Sequence, residues 1–160
     1  MRILGIDPGF ERLGIAVLEK EADEGRERVI HSECFKTSAK LDFHERLGLI
    51  GEKIKEIIKK FKPEALAIET LFMTTNQKTV IRVAEARGVV IYEASRAGLP
   101  VLEISPLQAK MATTGYGRSG KPEMIKMVKM LVKIENSKTS DDELDAIALA
   151  LSAFALWRKF

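Results

Sequence analysis

Ile3-Leu4-Gly5-Ile6-Asp7-Pro8-Gly9 decides how the rest of the chain is read. Arg2 to Asp7 is an apolar, β-compatible run that Pro8-Gly9 stops, and a carboxylate stands where it ends. Outward from it, Leu13 to Glu19 reads as a second strand. The charged stretch Lys20 to Glu27 reads as a turn, and Arg28 to Phe35 as a third strand. Links this short and polar predict an antiparallel meander. The period then changes. Within Leu41 to Phe61 the apolar residues Leu47, Ile50, Ile54, Ile57, Ile58 and Phe61 recur at helical spacing, until Pro63 breaks the pattern. Ala65 to Ile68 is a buried-strand run ending at Glu69. Asn76 to Ala97 is helical and is stopped by Gly98 and Pro100. Val101 to Ile104 makes a fifth strand, with a helix starting near Pro106. The glycine-rich stretch Thr113 to Gly120 precedes a helix whose first turn holds Pro122. Ser140 and Glu143 fit a capping box opening a last helix that runs to Trp157. Helix-linked strands call for right-handed parallel crossovers. The expected fold is therefore α/β: a mixed five-stranded sheet, three antiparallel strands then two parallel, flanked by helices.

Composition narrows the class. The chain has 160 residues, 46% hydrophobic and 31% charged, which suits one globular domain over 1–160. Cys34 is the only cysteine, and His31 and His44 are the only histidines, so neither an internal disulfide nor a Cys/His zinc site is available. A lone thiol fits the cytoplasm, and the absence of a long apolar run predicts neither membrane span nor signal peptide. Twenty-six basic residues against 23 acidic leave a net charge of +3, so distribution matters more than total. Lys110, Arg118, Lys121, Lys126, Lys129 and Lys133 face Glu123 alone in their segment. That segment is either a solvated helix surface or a phosphate-facing patch.

Four carboxylates call for explanation. Asp7 is either a cap for the Pro8-Gly9 bend or a site residue at the sheet edge where α/β proteins place ligands. Glu69 ends a second apolar strand and has no comparable turn role. Burying it ionised is expensive without a cation or a donor. Asp142 and Asp145 lie three apart at the start of the last helix and share a face. Asp142 also suits the helix dipole, whereas Asp145 stands among Leu144, Ala146, Ile147, Ala148 and Leu149, on a helix that must pack. Asp141 and Glu143 read as solvated or capping. Four such acids repel one another unless something positive lies between them, and hard oxygen donors suit Mg²⁺ or Mn²⁺. Two ions about 4 Å apart would form the clamp used for in-line attack of water on a phosphodiester.

Ile3-Leu4-Gly5-Ile6-Asp7-Pro8-Gly9, Ala67-Ile68-Glu69 with Phe72-Met73, Ala86-Arg87-Gly88, and Asp142 with Asp145-Ala146 together resemble the RuvC family. These are bacterial Holliday-junction resolvases of the RNase H-like superfamily, and the likeness runs nearly end to end. It implies that Asp7, Glu69, Asp142 and Asp145 bind two Mg²⁺ ions and cut DNA. Phe72 would stack on junction bases, and Lys110 and Lys121 would lie near the scissile phosphate. Arg118 and the helix start at Pro122 would add phosphate donors. It further implies a homodimer with the Asn76 to Ala97 helix at the interface, symmetric paired nicking of four-way junction DNA, and work alongside the RuvA and RuvB branch-migration proteins. The chain departs from the family pattern at Pro122-Glu123-Met124, where a glutamine-containing variant is usual, and carries Asp142 where some members have histidine. Two other readings make different use of the same residues. An actin-like ATP-binding lobe would use Asp7-Pro8-Gly9 as a phosphate loop but needs a second lobe. A non-catalytic junction-binding module would be expected to lose one of the four acids, and none is missing.

Overall fold

A computed structural model describes residues 1–21, 25–71, 77–132, 134 and 139–157. Strands β1 (Arg2–Asp7), β2 (Arg12–Glu19) and β3 (Arg28–Lys36) form the antiparallel meander. Helix α1 (Phe43–Phe61) leads to β4 (Ala65–Glu69), and α2 (Gln77–Arg96) leads to β5 (Val101–Ile104). Helices α3 (Pro106–Thr114), α4 (Lys121–Leu131) and α5 (Asp141–Leu156) follow. The sheet order is β3-β2-β1-β4-β5, with β4 parallel to both β1 and β5. This is the expected mixed sheet. Asn76, expected to open the second helix, lies outside the described residues.

Local chemistry moves some boundaries. Helix α1 starts at Phe43 rather than Leu41 because Asp42 is its N-cap. The Glu45 carboxylate accepts from the Asp42 N–H at 2.8 Å. The helix ends where Lys62 turns left-handed at φ 49°. The Ser140 box forms as read, with the Ser140 N–H donating to Glu143 Oε1 at 3.1 Å. Strand β4 takes in Glu69 as its last residue.

Alternation along the strands sorts the side chains into two cores. Leu4, Ile6, Ile15, Val17, Leu66 and Ile68 pack under α1 and α2, against Ile50, Ile54, Ile57, Ala86 and Val90. On the opposite face Ile3, Ala16, Ala65 and Ala67 pack against α5, with Ala109 of α3 and Val128 of α4 beside them. Small side chains dominate where α5 crosses the sheet, so the helix can lie close. Among the described residues no helix is long and apolar enough to cross a membrane.

Candidate active site

Asp7 and Glu69 end neighbouring parallel strands, because Ile6 pairs with Ile68. By alternation both acids belong to the face that carries Ile3, Gly5, Ala65 and Ala67, the face under α5. Glycine brings that helix within reach. A Cβ on Gly5 would lie 2.2 Å from the Ala146 carbonyl oxygen. One on Gly14, the residue paired with Asp7, would lie 2.1 Å from the Asp142 carbonyl oxygen and 3.1 Å from Asp7 Cβ. The first turn of α5 therefore sits directly over the end of β1.

The result is a cavity of about 230 Å³ lined by Asp7, Glu69, Lys110, Lys121 and Asp145, with Pro106 and Met124 among its apolar walls. Lys110 comes from α3 and Lys121 opens α4, so five elements supply the polar lining. Asp142 is absent from that lining. Arg118 is exposed on the loop before α4, whereas Phe72 and Lys133 lie outside the described residues. Asp141 is exposed and pairs with Lys121 at 3.5 Å, and Glu143 serves the cap and accepts from Ser32 Oγ at 2.8 Å. Both histidines lie elsewhere, His31 on β3 stacked against Phe61 and His44 on α1.

The acids divide by how their charge is balanced. Burial, followed by the charges of Asp145, Glu69 and Asp142, pushes the Asp7 carboxyl up to about 7 against the partial relief of Lys121. Burial and then Asp145 raise Glu69 as well. The two α5 acids have cations instead. Lys121 Nζ donates to Asp145 Oδ2 at 3.1 Å. Although burial favours the protonated form of Asp142, hydrogen bonds from Arg12 and Cys34 and the charge of Arg12 outweigh it and hold the carboxyl below its usual range. Arg12 donates to Asp142 Oδ2 through Nε at 2.8 Å and Nη2 at 2.5 Å, and Cys34 Sγ donates to the same oxygen at 3.4 Å.

A hard divalent cation fits this donor set in kind. Carboxylate oxygens line a partly buried cavity, and burial and then neighbouring acids push Asp7 and Glu69 toward protonation, which a divalent cation would reverse. As the side chains stand, no three His, Cys, Asp or Glu groups among the described residues are gathered tightly enough to grip one ion. Two of the four acids instead pair with cations, Asp142 with Arg12 and Asp145 with Lys121.

Two residues escaped the sequence reading. One is Arg12, whose available signal was a cation two positions before the glycine that pairs with Asp7. The other is Arg87, quoted above only as part of Ala86-Arg87-Gly88. Its Nε donates to the Glu69 backbone carbonyl at 3.0 Å, and its Nη2 bonds Glu103, so it ties α2 to the ends of β4 and β5. Nothing in its own segment pointed to that partner.

Comparison with known proteins places the whole chain in a family. The family model for crossover junction endodeoxyribonuclease RuvC matches residues 3–153. The chain is 40% identical to a crossover junction endodeoxyribonuclease RuvC of Moorella thermoacetica, over 99% of this chain and 95% of that one. It is 43% identical to the one from Thermosipho melanesiensis, over 94% of each. Thermus thermophilus RuvC superposes with a TM-score of 0.90 at 33% identity, covering 99% of this chain and 96% of that one. A second structure of the Thermus protein, in complex with Holliday junction substrate, superposes with a TM-score of 0.91. Matches this long, joined to an RNase H-like sheet whose strand ends carry the acids, show that the chain belongs to the RuvC family of crossover junction endodeoxyribonucleases.

Proposed function

We propose that this chain is a metal-dependent endonuclease that resolves four-way DNA junctions by paired, symmetric nicking, as one RNase H-like domain over residues 1–160. One observation carries it: acids from β1, β4 and α5 meet at one sheet edge around a cavity that two lysines also line. Asp7, Glu69, Asp142 and Asp145 act as the metal ligands, for two Mg²⁺ ions with Mn²⁺ as a substitute. Bound there, the ions supply activation of water and stabilisation of the departing 3′ oxygen. The chain's own residues do the rest. Glu69 and Asp7 present their carboxyl oxygens from the fixed ends of paired strands, which keeps their spacing rigid. Lys110 and Lys121 draw the phosphodiester into the cavity, and exposed Arg118 holds the flanking backbone. Phe72 stacks on a junction base, contributing about 1–3 kcal/mol to binding.

Cutting two opposed strands needs two such sites, supplied by a homodimer. Helix α2 is its contact surface. Ile81 and Tyr92 are 59% and 58% exposed there, and Gly88 between them leaves room for close approach. In the cytoplasm the dimer works with RuvA and RuvB, which move the branch point it cuts.

The decisive experiment is cleavage of a synthetic four-way junction, with Mg²⁺ and with chelator, beside an intact duplex of the same sequence. Paired nicks in the junction alone, only with Mg²⁺, are expected. An Asp7→Asn protein should bind the junction and leave it uncut. Junction cleavage by Asp7→Asn at the unmodified rate would overturn the assignment.

A further inference from the structure

Asp142 differs from Asp7 and Glu69 in being hydrogen-bonded directly to a cation. Arg12 opens β2 and Cys34 lies on β3, directly across from Gly14. Both donate to a single oxygen of Asp142, Arg12 through two nitrogens at 2.5 and 2.8 Å and Cys34 at 3.4 Å. The pair sits at the surface: the Arg12 side chain is 50% exposed and that of Asp142 is 23% exposed. Asp142 does not line the cavity that holds the other three acids. A guanidinium on a carboxylate both occupies its lone pairs and repels any second cation approaching it. Because Arg12 is half in water, it can leave Asp142 without stranding a buried charge.

We propose that Arg12 is the resident counter-cation of Asp142, and that a divalent ion gains Asp142 only by displacing it. Resting on Asp142 being a metal ligand, this makes Arg12 a positioning residue that lowers metal occupancy on the Asp142 side of the site. Lys121 stands to Asp145 in the same relation at 3.1 Å, but it is a single-point donor that lines the cavity itself. Arg12 reaches its acid from outside the cavity, with a fork that fits one oxygen twice. A freed Arg12 remains beside the site, where a phosphodiester is a matching partner for its fork.

The test is Mn²⁺ binding to the DNA-free protein, read from the electron paramagnetic resonance of the free ion. Arg12→Gln should bind the weaker Mn²⁺ roughly fivefold more tightly than the natural chain, in keeping with loss of one partly exposed ion pair. Arg12→Lys, with a single nitrogen in place of the planar fork, should fall between them. In an Asp142→Asn background, Arg12→Gln should change nothing, because the carboxylate for which Arg12 and the ion compete is already gone. Unchanged or weaker Mn²⁺ binding by Arg12→Gln overturns the proposal. So does equal tightening in the Asp142→Asn background, which would make Arg12 a source of field rather than a holder of Asp142. If Asp142→Asn itself leaves Mn²⁺ binding untouched, Asp142 is not a ligand and both ideas fall. If Asp142→Asn weakens binding and Arg12→Gln does nothing, the counter-cation alone is lost. Metal-free melting of Arg12→Gln close to that of the natural chain shows that folding is not the cause.

Discussion

Asp7 keeps its proton up to about pH 7 because it is partly buried beside three other acids, and this has a measurable consequence for stability. Its ordinary value is 3.8, so the metal-free folded state binds the proton more tightly than the unfolded chain does. The stability it contributes is therefore full below about pH 4 and is lost as pH rises through 7. Across that range ionisation costs the metal-free fold up to about 4 kcal/mol. Asp7→Asn removes the cost. Its melting temperature in chelator at about pH 8 should exceed that of the natural chain by several degrees, with the gap closing at about pH 4. Calorimetry at the two pH values checks this, and an equal gap at both would detach Asp7 from the other acids. Lys121 gives a second test at the same scale. Burial opposes its charge, but hydrogen bonding and attraction to Asp145 and then Asp141 outweigh that and raise its pKa, so it stays cationic in the cavity. Lys121→Ala should slow junction cleavage and lower the salt dependence of binding by about one counterion. Binding titrations at several salt concentrations measure that slope.

At the scale of elements, the site exists because α5 can lie almost on the backbone of β1 and β2. Gly5 and Gly14 are the contact points, and at each an added methyl meets a backbone carbonyl near 2 Å, which no side-chain rotation relieves. Gly14→Ala should therefore lift the first turn of α5 and carry Asp142 and Asp145 away from Asp7. The expected loss is about 1–3 kcal/mol in chemical denaturation, with a larger proportional loss of cleavage than of junction binding. Gly48 is the control. It lies on α1 with nothing within 4 Å of an added Cβ, and Gly48→Ala should leave cleavage unaltered. A Gly14→Ala protein as stable and as active as the natural chain would mean that α5 is not held at this distance.

For the whole molecule, symmetric nicking demands two sites in fixed relation, and α2 is the surface on which that relation is proposed to form. Replacing Ile81 and Tyr92 together by Arg puts four like charges into a paired α2 contact. The double variant should sediment as a monomer and release single nicks instead of paired cuts from a supercoiled junction substrate. Sedimentation and product analysis together check the outcome; a variant that remains dimeric would move the interface elsewhere. Family membership also removes the ATP-binding-lobe reading, since the match to crossover junction endodeoxyribonucleases spans residues 3–153 and so takes in Asp7-Pro8-Gly9.

Much of the architecture was readable in one dimension because its signals are local. Strand alternation, the Pro63, Gly98 and Pro100 stops and the Ser140–Glu143 box each act within a few residues, and all five strands and five helices formed near their expected bounds. The exceptions are also local: the Asp42–Glu45 box went unread and displaced the start of α1 by two residues. The acids were legible as oddities, since a carboxylate ending an apolar strand has to be accounted for wherever it lies. Their grouping was not. Sequence spacing of 62 residues between Asp7 and Glu69 says nothing about distance until β1 and β4 pair in parallel register. Which elements form and which groups carry charge could be read without coordinates, because both follow from side-chain chemistry and short-range backbone preference. That Asp7, Glu69 and Asp145 share one cavity, with Asp142 paired to Arg12 and outside its lining, depends on the close packing of α5 over Gly5 and Gly14, which fixes distances between residues far apart along the chain.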